Sequence, residues 1–493
     1  MQNRFSGSGH YLLLGHSRFR DVVLAELSET ELVDRKQIVL LSPKSEDAPK
    51  GKSAGKMETL FFAGDPTDGD ALEGVSAASA KAILVITCGE PDADPTAARI
   101  VRALLECTRH IAILPQSQPC PIIVVTETEA WYRKIGCEGG SRVHTVCLET
   151  VLARIIAQVS RQKMLSLVYR EILTFRGNDF YSYPVGDLSG LTFAHSLRAF
   201  ENACVAGIVR NGSVRLNPAK DTRLEDTDQL ILLAPDLRNI TKSQPLLPAP
   251  NNADMQETSI ATQRDESTLF LGWNRLCPRI IAELAQYAGK NSRITILAEE
   301  DIALPPDMAT PGYIAITSER AAISDREYLA GIPWQYYENV IIPGDGSFDD
   351  TAALKTHSLV REALSQRGFD NNVTTVLFDP HSGETGGDEG MFVSAEIVFR
   401  IVARFIINPE MQAVVRQLTT SEGSEIYLMP VENYVKIGTN VTFYTILESA
   451  RRKNETAIGY ITAENKKIVL NPQKAERIRF YHFDRIVVLA DEN

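Results

Sequence analysis

One block of this sequence occurs twice, the second copy following the first by 257 residues without a gap. Leu12-Leu13-Leu14-Gly15-His16-Ser17-Arg18 leads into Ala25-Glu26-Leu27. Leu269-Phe270-Leu271-Gly272-Trp273-Asn274-Arg275 leads into Ala282-Glu283-Leu284. Further on, Tyr183-Pro184, Phe193, Leu197, Gly207, Leu216-Asn217-Pro218 and Asp228 are answered in order, with small insertions, by Met429-Pro430, Phe443, Leu447, Gly459, Leu470-Asn471-Pro472 and Asp484. Matching order in both halves means that a two-part unit was duplicated whole, which fixes the architecture before any local pattern is read. Two copies of one domain pair suit assembly more than catalysis.

A chain of 493 residues can hold two to four domains with full cores. In the first half, strand-like runs at Tyr11–Gly15, Gln37–Leu41, Glu58–Phe62, Lys81–Thr87, Ile122–Thr126 and His144–Leu148 alternate with amphipathic stretches, notably Arg20–Leu27 and Pro95–Arg109. Continuous apolar strands separated by helices predict a parallel sheet covered on both faces. This is a Rossmann-like, doubly wound domain at residues 10–150. The apolar face of Val151–Thr174 predicts one long crossover helix that needs a partner surface, on another subunit or domain or on its own sheet. It opens a unit at 151–236 whose small α+β lobe carries a hairpin signal at Asn211-Gly212. Residues 237–267, rich in Pro, Gln, Asn and Thr, read as a linker. A second Rossmann-like domain spans 268–392, with strands at Thr268–Gly272, Arg293–Ala298, Tyr313–Thr317, Asn339–Pro343 and Val373–Phe378. His381–Gly390 within it reads as a mobile loop. Residues 393–493 repeat the crossover helix, over Val393–Thr419, and the small lobe. The expected fold class is α/β: two Rossmann-like parallel-sheet domains, each followed by a crossover helix and an α+β lobe.

Composition excludes several functions. Apolar runs such as Ala82-Ile83-Leu84-Val85-Ile86 fall far short of the ~20 residues of a membrane-spanning helix, and no cleavable signal peptide is read at the start. A net charge of −12 argues against a nucleic-acid binder, which needs a positive face. An acidic surface fits cations or basic partners, or plain solubility. Seven cysteines without CxxC spacing fit a reducing compartment and core positions.

A dinucleotide turn needs Gly-x-Gly-x-x-Gly so that the backbone can approach a pyrophosphate. Here Gly15-His16-Ser17-Arg18-Phe19-Arg20 and Gly272-Trp273-Asn274-Arg275-Leu276-Cys277 each keep only the first glycine. Where an acid normally holds the ribose, the first copy has Ser42-Pro43 and the second has Glu299-Glu300-Asp301. Ordinary NAD binding is therefore not expected. The candidate ligand clefts comprise Gly15, His16 and Ser17 in one copy and Gly272, Trp273, Asn274, Glu299 and Glu300 in the other. Acids crowd the strand ends beside the first cleft: Asp65, Asp68 and Asp70 after the third strand, Glu90, Asp92 and Asp94 after the fourth. Hard cations such as Ca2+ take six to eight oxygens from groups of this kind, while helix capping uses the same residues. Asp221, Glu225, Asp226 and Asp228 offer a further set with the same two readings. Gly-x-Ser-x-Gly, a P-loop and paired His ligands are absent from the sequence, so no enzyme is expected.

In its repeated order of Rossmann unit, crossover and small lobe, the chain resembles tandem RCK domains (regulators of K+ conductance), and more closely the CASTOR/POLLUX family of ion channels. Leu269-Phe270-Leu271-Gly272-Trp273-Asn274 resembles the start of that family's second unit. Glu422-Gly423-Ser424-Glu425-Ile426-Tyr427, Pro430, Ile458-Gly459-Tyr460 and Leu470-Asn471-Pro472 resemble its end. The first small lobe, from Ile172-Leu173 through Phe180 to Leu216-Asn217-Pro218, matches equally well. The resemblance implies a cytosolic gating ring of eight RCK units from a homotetramer, lying at the membrane beneath a K+ or Ca2+ channel pore and responding to a ligand, often Ca2+. The family's pore lies N-terminal to these domains and has no counterpart here. It is expected on a missing N-terminal part or on a separate chain. The alternative is a soluble nucleotide-binding regulator of a potassium-uptake transporter, whose relatives keep the glycine pattern that the first copy lacks.

Overall fold

The structure is a computed structural model. It describes residues 4–29, 37–44, 58–90, 92–108, 120–172, 177–243, 250–256, 265–289, 291–302, 304, 314–379, 392–408, 411–420 and 423–491. The expected loop His381–Gly390 lies outside these residues, as do parts of the linker.

The first half opens with β1 (Tyr11–Leu14), α1 (Arg20–Glu29), β2 (Gln37–Ser42), β3 (Glu58–Ala63), α2 (Gly69–Gly74), β4 (Ala82–Val85), α3 (Ala93–Cys107), β5 (Ile122–Thr126), α4 (Glu129–Gly139) and β6 (Val143–Cys147). Among the described residues these strands form one sheet in the order β3-β2-β1-β4-β5-β6. All pairs are parallel, with Leu12 between Val39 and Ile83. Then come α5 (Leu148–Arg161) and α6 (Leu165–Ile172), followed by a lobe of β7 (Asp179–Pro184), α7 (Phe193–Ser196), β8 (Cys204–Arg210), β9 (Ser213–Leu216) and β10 (Gln229–Ala234).

The second half repeats this plan. Its sheet comprises β11 (Ser267–Leu271), β12 (Ser292–Ala298), β13 (Ile314–Arg320), β14 (Asn339–Ile342), β15 (Asn372–Leu377) and β16 (Phe392–Ser394), interleaved with α8 (Cys277–Tyr287), α9 (Arg326–Gly331) and α10 (Thr351–Arg367). The strand order β13-β12-β11-β14-β15-β16 matches the first sheet position for position. The crossover α11 (Glu396–Ile407) and α12 (Met411–Thr419) precedes β17 (Ser424–Pro430), β18 (Asn440–Thr442), α13 (Phe443–Arg452), β19 (Thr456–Thr462), β20 (Lys467–Leu470), β21 (Arg477–Arg479) and β22 (Arg485–Asp491). The expected α/β class, with two Rossmann-like parallel sheets and tandem lobes, is the fold observed.

Three expectations need correction. The Val151–Thr174 stretch is two helices, broken at Gln162, Lys163 and Met164, with Met164 in the left-handed region at φ 75°. The second crossover is split likewise, and its expected first residue, Val393, lies instead in a sixth strand. That strand has only three residues, too short for its alternation to register.

The crossovers explain the architecture. Alternate residues of β1 face opposite sides of the sheet. Leu12 and Leu14 pack outward under Leu72, Ile100 and Leu104 of their own helices. Tyr11 and Leu13 face a core that the other half completes. There α11, from the second half, lies against α1, β4 and β5, with Phe399 stacked on Phe19 at 3.9 Å between ring centres. Reciprocally, α5 of the first half lies against α8, β14 and β15 of the second. Each crossover therefore covers the other half's sheet.

The duplicated lobe residues also acquire reasons. Gly207 and Gly459 sit at matching irregularities in strand pairing. A Cβ there would stand 2.3 Å from the Arg215 carbonyl oxygen or 2.4 Å from that of Val469. Asn217 and Asn471 take positive φ (43° and 47°) and reach across the lobe–lobe contact, Asn217 to the Asn454 carbonyl at 3.0 Å and Asn471 to that of Asn202 at 2.7 Å. The hairpin expected at Asn211-Gly212 is present, both residues having φ > 0 as a type I′ turn requires.

Candidate functional site

The two β1-type turns lie at the carboxyl edges of their sheets, where such folds bind ligands. Gly15 has φ 105°, and a Cβ there would meet the Ile86 carbonyl oxygen at 2.6 Å. The glycine is thus required by the close approach of β1's turn to the chain leaving β4. Ser17 and Asn274, at equivalent positions, tie the turns down. Ser17 Oγ donates to the Cys88 carbonyl at 2.7 Å, and Asn274 Nδ2 to that of Pro343 at 2.8 Å. Each also accepts a backbone N–H at the following helix start, from Phe19 and Leu276 respectively. Both are occupied by the scaffold.

His16 is placed differently. Its Nε2 lies 3.2 Å from Glu90 Oε1, and Lys44 Nζ lies 3.1 Å from Glu90 Oε2. Turns after β1, β2 and β4 thus converge on one carboxylate flanked by two nitrogen groups. Lys44 was not anticipated; it stands just beyond the Ser42-Pro43 position where a ribose-binding acid was sought.

The remaining acids do not gather into the expected cation site. Asp65 accepts from Thr67 N and Oγ1 at 2.8 and 2.7 Å. Asp68 caps α2 by accepting from Asp70 N at 3.0 Å, and Asp70 is exposed in the first turn. Asp92 is exposed at the start of α3 in the left-handed region. Asp94 is buried and clamps the next loop, accepting from Glu127 N (2.7 Å), Thr128 N (3.2 Å) and Thr128 Oγ1 (2.9 Å). Asp350 performs the same task at Phe378 and Asp379 in the second half, which marks the role as structural. Asp228 is held by Arg210 at 2.6 Å, which keeps its carboxyl below the usual range. Among the described residues, no group of three or more His, Cys, Asp or Glu stands ready to hold a metal. The physical reason is competition: backbone N–H groups and basic side chains satisfy most of these carboxylates first.

In the second cleft Trp273 packs against the shared core, and Gly272 has φ 113°. Glu299 and Glu300 are exposed at the end of β12, with Ser324 Oγ bonded to Glu299.

Contacts missed in the sequence join the two clefts. Arg18 stacks over Phe348, which follows β14 of the other half, at 4.8 Å. Arg275, the equivalent of Arg18, crosses the other way to Glu149 (3.2 Å) and Glu127 (3.5 Å), and Glu127 also accepts from Gly89 N beside the first cleft at 2.8 Å. Burial pushes the Glu149 carboxyl up, with Arg275 and Arg279 opposing. Deeper in, Glu26 of α1 holds Arg400 of α11 at 2.7 Å, and Glu283 of α8 holds Arg154 of α5 at 3.4 Å. These are the glutamates of the repeated Ala-Glu-Leu, and Arg154-Ile155 matches Arg400-Ile401 in the two crossovers. A buried acid duplicated with an arginine in a greasy helix was the signal available. Four positions downstream in each crossover helix the halves diverge. Arg404 holds Asp179 at 2.8 Å, whereas Gln158 donates to Tyr287 Oη at 3.3 Å, and Tyr287 donates to Glu425 at 2.6 Å.

The observed arrangement of two Rossmann-like sheets, crossovers and small lobes is a tandem RCK-like fold. The human SLO3 gating ring superposes with a TM-score of 0.62 at 14% identity, over 97% of this chain and 98% of that one. The more particular resemblance is to the CASTOR/POLLUX ion channels. A family profile described as "Castor and Pollux, part of voltage-gated ion channel" matches residues 149–249. The probable ion channel POLLUX of Arabidopsis thaliana and the ion channel CASTOR of Lotus japonicus are each 23% identical over 98% of this chain. The chain spans 64% and 62% of the length of those two relatives. No helix among the described residues is long and apolar enough to cross a membrane.

Proposed function

We propose that this chain is a ligand-sensing gating module of a cation channel, acting on the cytosolic side of a membrane pore as a ring of four chains and eight RCK units. The observation that carries the reading is the reciprocal crossing of the halves. Because α5 and α11 each cover the other half's sheet and are pinned there by Arg154–Glu283 and Arg400–Glu26, a change at either sheet edge is felt in both halves. A ligand can shift such an equilibrium only by its difference in affinity between two arrangements. The first cleft offers that difference, since the Glu90 network adjoins Gly89, Glu127 and the crossing Arg275. The resemblance to CASTOR and POLLUX supports the channel and a regulatory role.

The domains within this reading divide at residues 10–150, 151–236, 237–267, 268–392 and 393–493. Calcium chloride is the first ligand to test, because the resemblance implies Ca2+ sensing and Glu90 is the half-buried carboxylate on which the turns of the first cleft converge. A second reading, a nucleotide-binding regulator, is favoured by His16 and Lys44, two nitrogen groups for which an anion would compete with Glu90. The experiment titrates calcium chloride or ADP while the separation of the two halves is read, with Glu90→Gln as the site control. A response to calcium that Glu90→Gln abolishes supports the first reading. A response to ADP alone supports the second, and a calcium response retained in Glu90→Gln moves the site elsewhere.

A further inference from the structure

The two small lobes come from one duplicated unit, yet their outer turns have diverged in opposite directions. Asp228 and Asp484 close the same turn, accepting from Glu225 N and Tyr481 N, each at 2.8 Å. Between those residues the first lobe reads Glu225-Asp226-Thr227 and the second Tyr481-His482-Phe483. Five large apolar side chains are exposed among the described residues: Leu191, Tyr328, Tyr336, Tyr481 and Phe483. Three of the five border these two turns. Phe483 is 76% exposed and takes φ 72°, a conformation that bulky side chains avoid. Among the described residues nothing offsets that strain by burying the ring. Strain held at an exposed residue points to a contact made elsewhere.

The flanking charges are complementary. Arg477 and Arg479 are exposed on β21 as it enters the aromatic turn, and Arg479 lies 5.8 Å from the Tyr481 ring centre. In the first lobe Asp221 and Asp226 are exposed, and Leu191 stands beside them, its carbonyl accepting from Leu224 N at 2.9 Å. The residue equivalent to Leu191 in the second lobe is Val441, which the β18–β21 pairing buries. Each lobe thus presents an apolar centre with a mixed rim, acidic on balance in the first, where exposed Arg223 lies among Asp221, Glu225 and Asp226, and basic on balance in the second, where exposed Glu476 adjoins Arg477 and Arg479.

We infer that the Tyr481–Phe483 turn of one copy seats on the Leu191, Asp221 and Asp226 face of the first lobe of a second copy. The contact is heterologous, the kind that builds a ring when its rotation closes, and the inference rests on the proposed assembly of copies. Apolar centres meet, and guanidinium groups meet carboxylates at the rim, the arrangement in which charge selects the partner.

The experiment is sedimentation velocity of the full chain across a concentration series. Three double variants are compared with the unaltered chain: Tyr481→Ser with Phe483→Ser, Asp221→Lys with Asp226→Lys, and Arg477→Glu with Arg479→Glu. All six positions are exposed, and circular dichroism confirms folding. Each double variant should weaken self-association roughly tenfold. Combining both charge reversals should restore it to within about threefold of the unaltered chain. Variants that associate like the unaltered chain would overturn this contact while leaving the ring intact. Weakening by the second-lobe changes alone would overturn the pairing of these two faces. A monomeric unaltered chain would overturn the ring reading as well.

Discussion

Glu26→Ala cuts the shorter of the two ion pairs that the repeated Ala-Glu-Leu glutamates make between the halves. Glu26 is 3% exposed and accepts from Arg400 Nη1 at 2.7 Å. Breaking a fully buried ion pair costs about 3–5 kcal/mol, most of it the penalty of the stranded partner. Arg400 would not be wholly stranded. It is 35% exposed and also bonds Glu396 on its own helix. We therefore expect a loss of about 2 kcal/mol, which raises the local opening constant roughly thirtyfold. The two helices belong to different halves, so amide exchange should quicken together over residues 20–29 and 396–407. Hydrogen exchange read by mass spectrometry resolves both segments. Faster exchange confined to α1, or a rise below about threefold in α11, would refute the claim that this pair holds the halves together. Glu283→Ala should act likewise on α5 and α8, more weakly because its pair is longer at 3.4 Å.

Two further outcomes follow from the lobes. Gly207→Ala and Gly459→Ala each place a Cβ under 2.5 Å from a backbone carbonyl oxygen, so each should cost about 1–3 kcal/mol and lower the melting temperature; an unchanged melt would show that the strands can part freely there. Lys220, buried where the lobes meet, donates to Thr456 Oγ1 at 2.8 Å, and burial brings its ammonium down to about 7 from 10.5. Between those values the unfolded chain holds a proton that the folded chain has released, so stability gains from this lysine as pH rises from 7 to 10.5. Relative to Lys220→Met, the unaltered chain should become more stable over that window by denaturant titration, and a pH-independent difference would refute the assignment.

The sheets were legible because their strands are apolar on both faces. Gln37–Leu41, Ile122–Thr126 and Asn339–Pro343 all fall within a residue of the observed ends. The break at Met164 was not legible, since no Pro or Gly marks it and its positive φ is set by packing. Residue type alone could not separate the acids. Glu90 and Asp94 lie four positions apart, one in the turn after β4 and the other in the first turn of α3, yet one meets Lys44 and the other clamps the backbone of Glu127. Nor could periodicity say which sheet a crossover covers. The duplicated Glu26 and Glu283 held that information, but only pairing with Arg400 and Arg154 made it readable.

The central claim is that a ligand at the first cleft moves one half against the other. Its most direct test is a pulsed spin–spin distance between labels on exposed Cys137 of α4 and on Ser365→Cys of α10, with Cys107 and Cys120 replaced by serine and labelled chains diluted in unlabelled ones. Calcium chloride or ADP that binds by calorimetry should shift the distance distribution, and Glu26→Ala should broaden or abolish the shift while binding persists. A bound ligand that leaves the distribution unchanged would contradict the account.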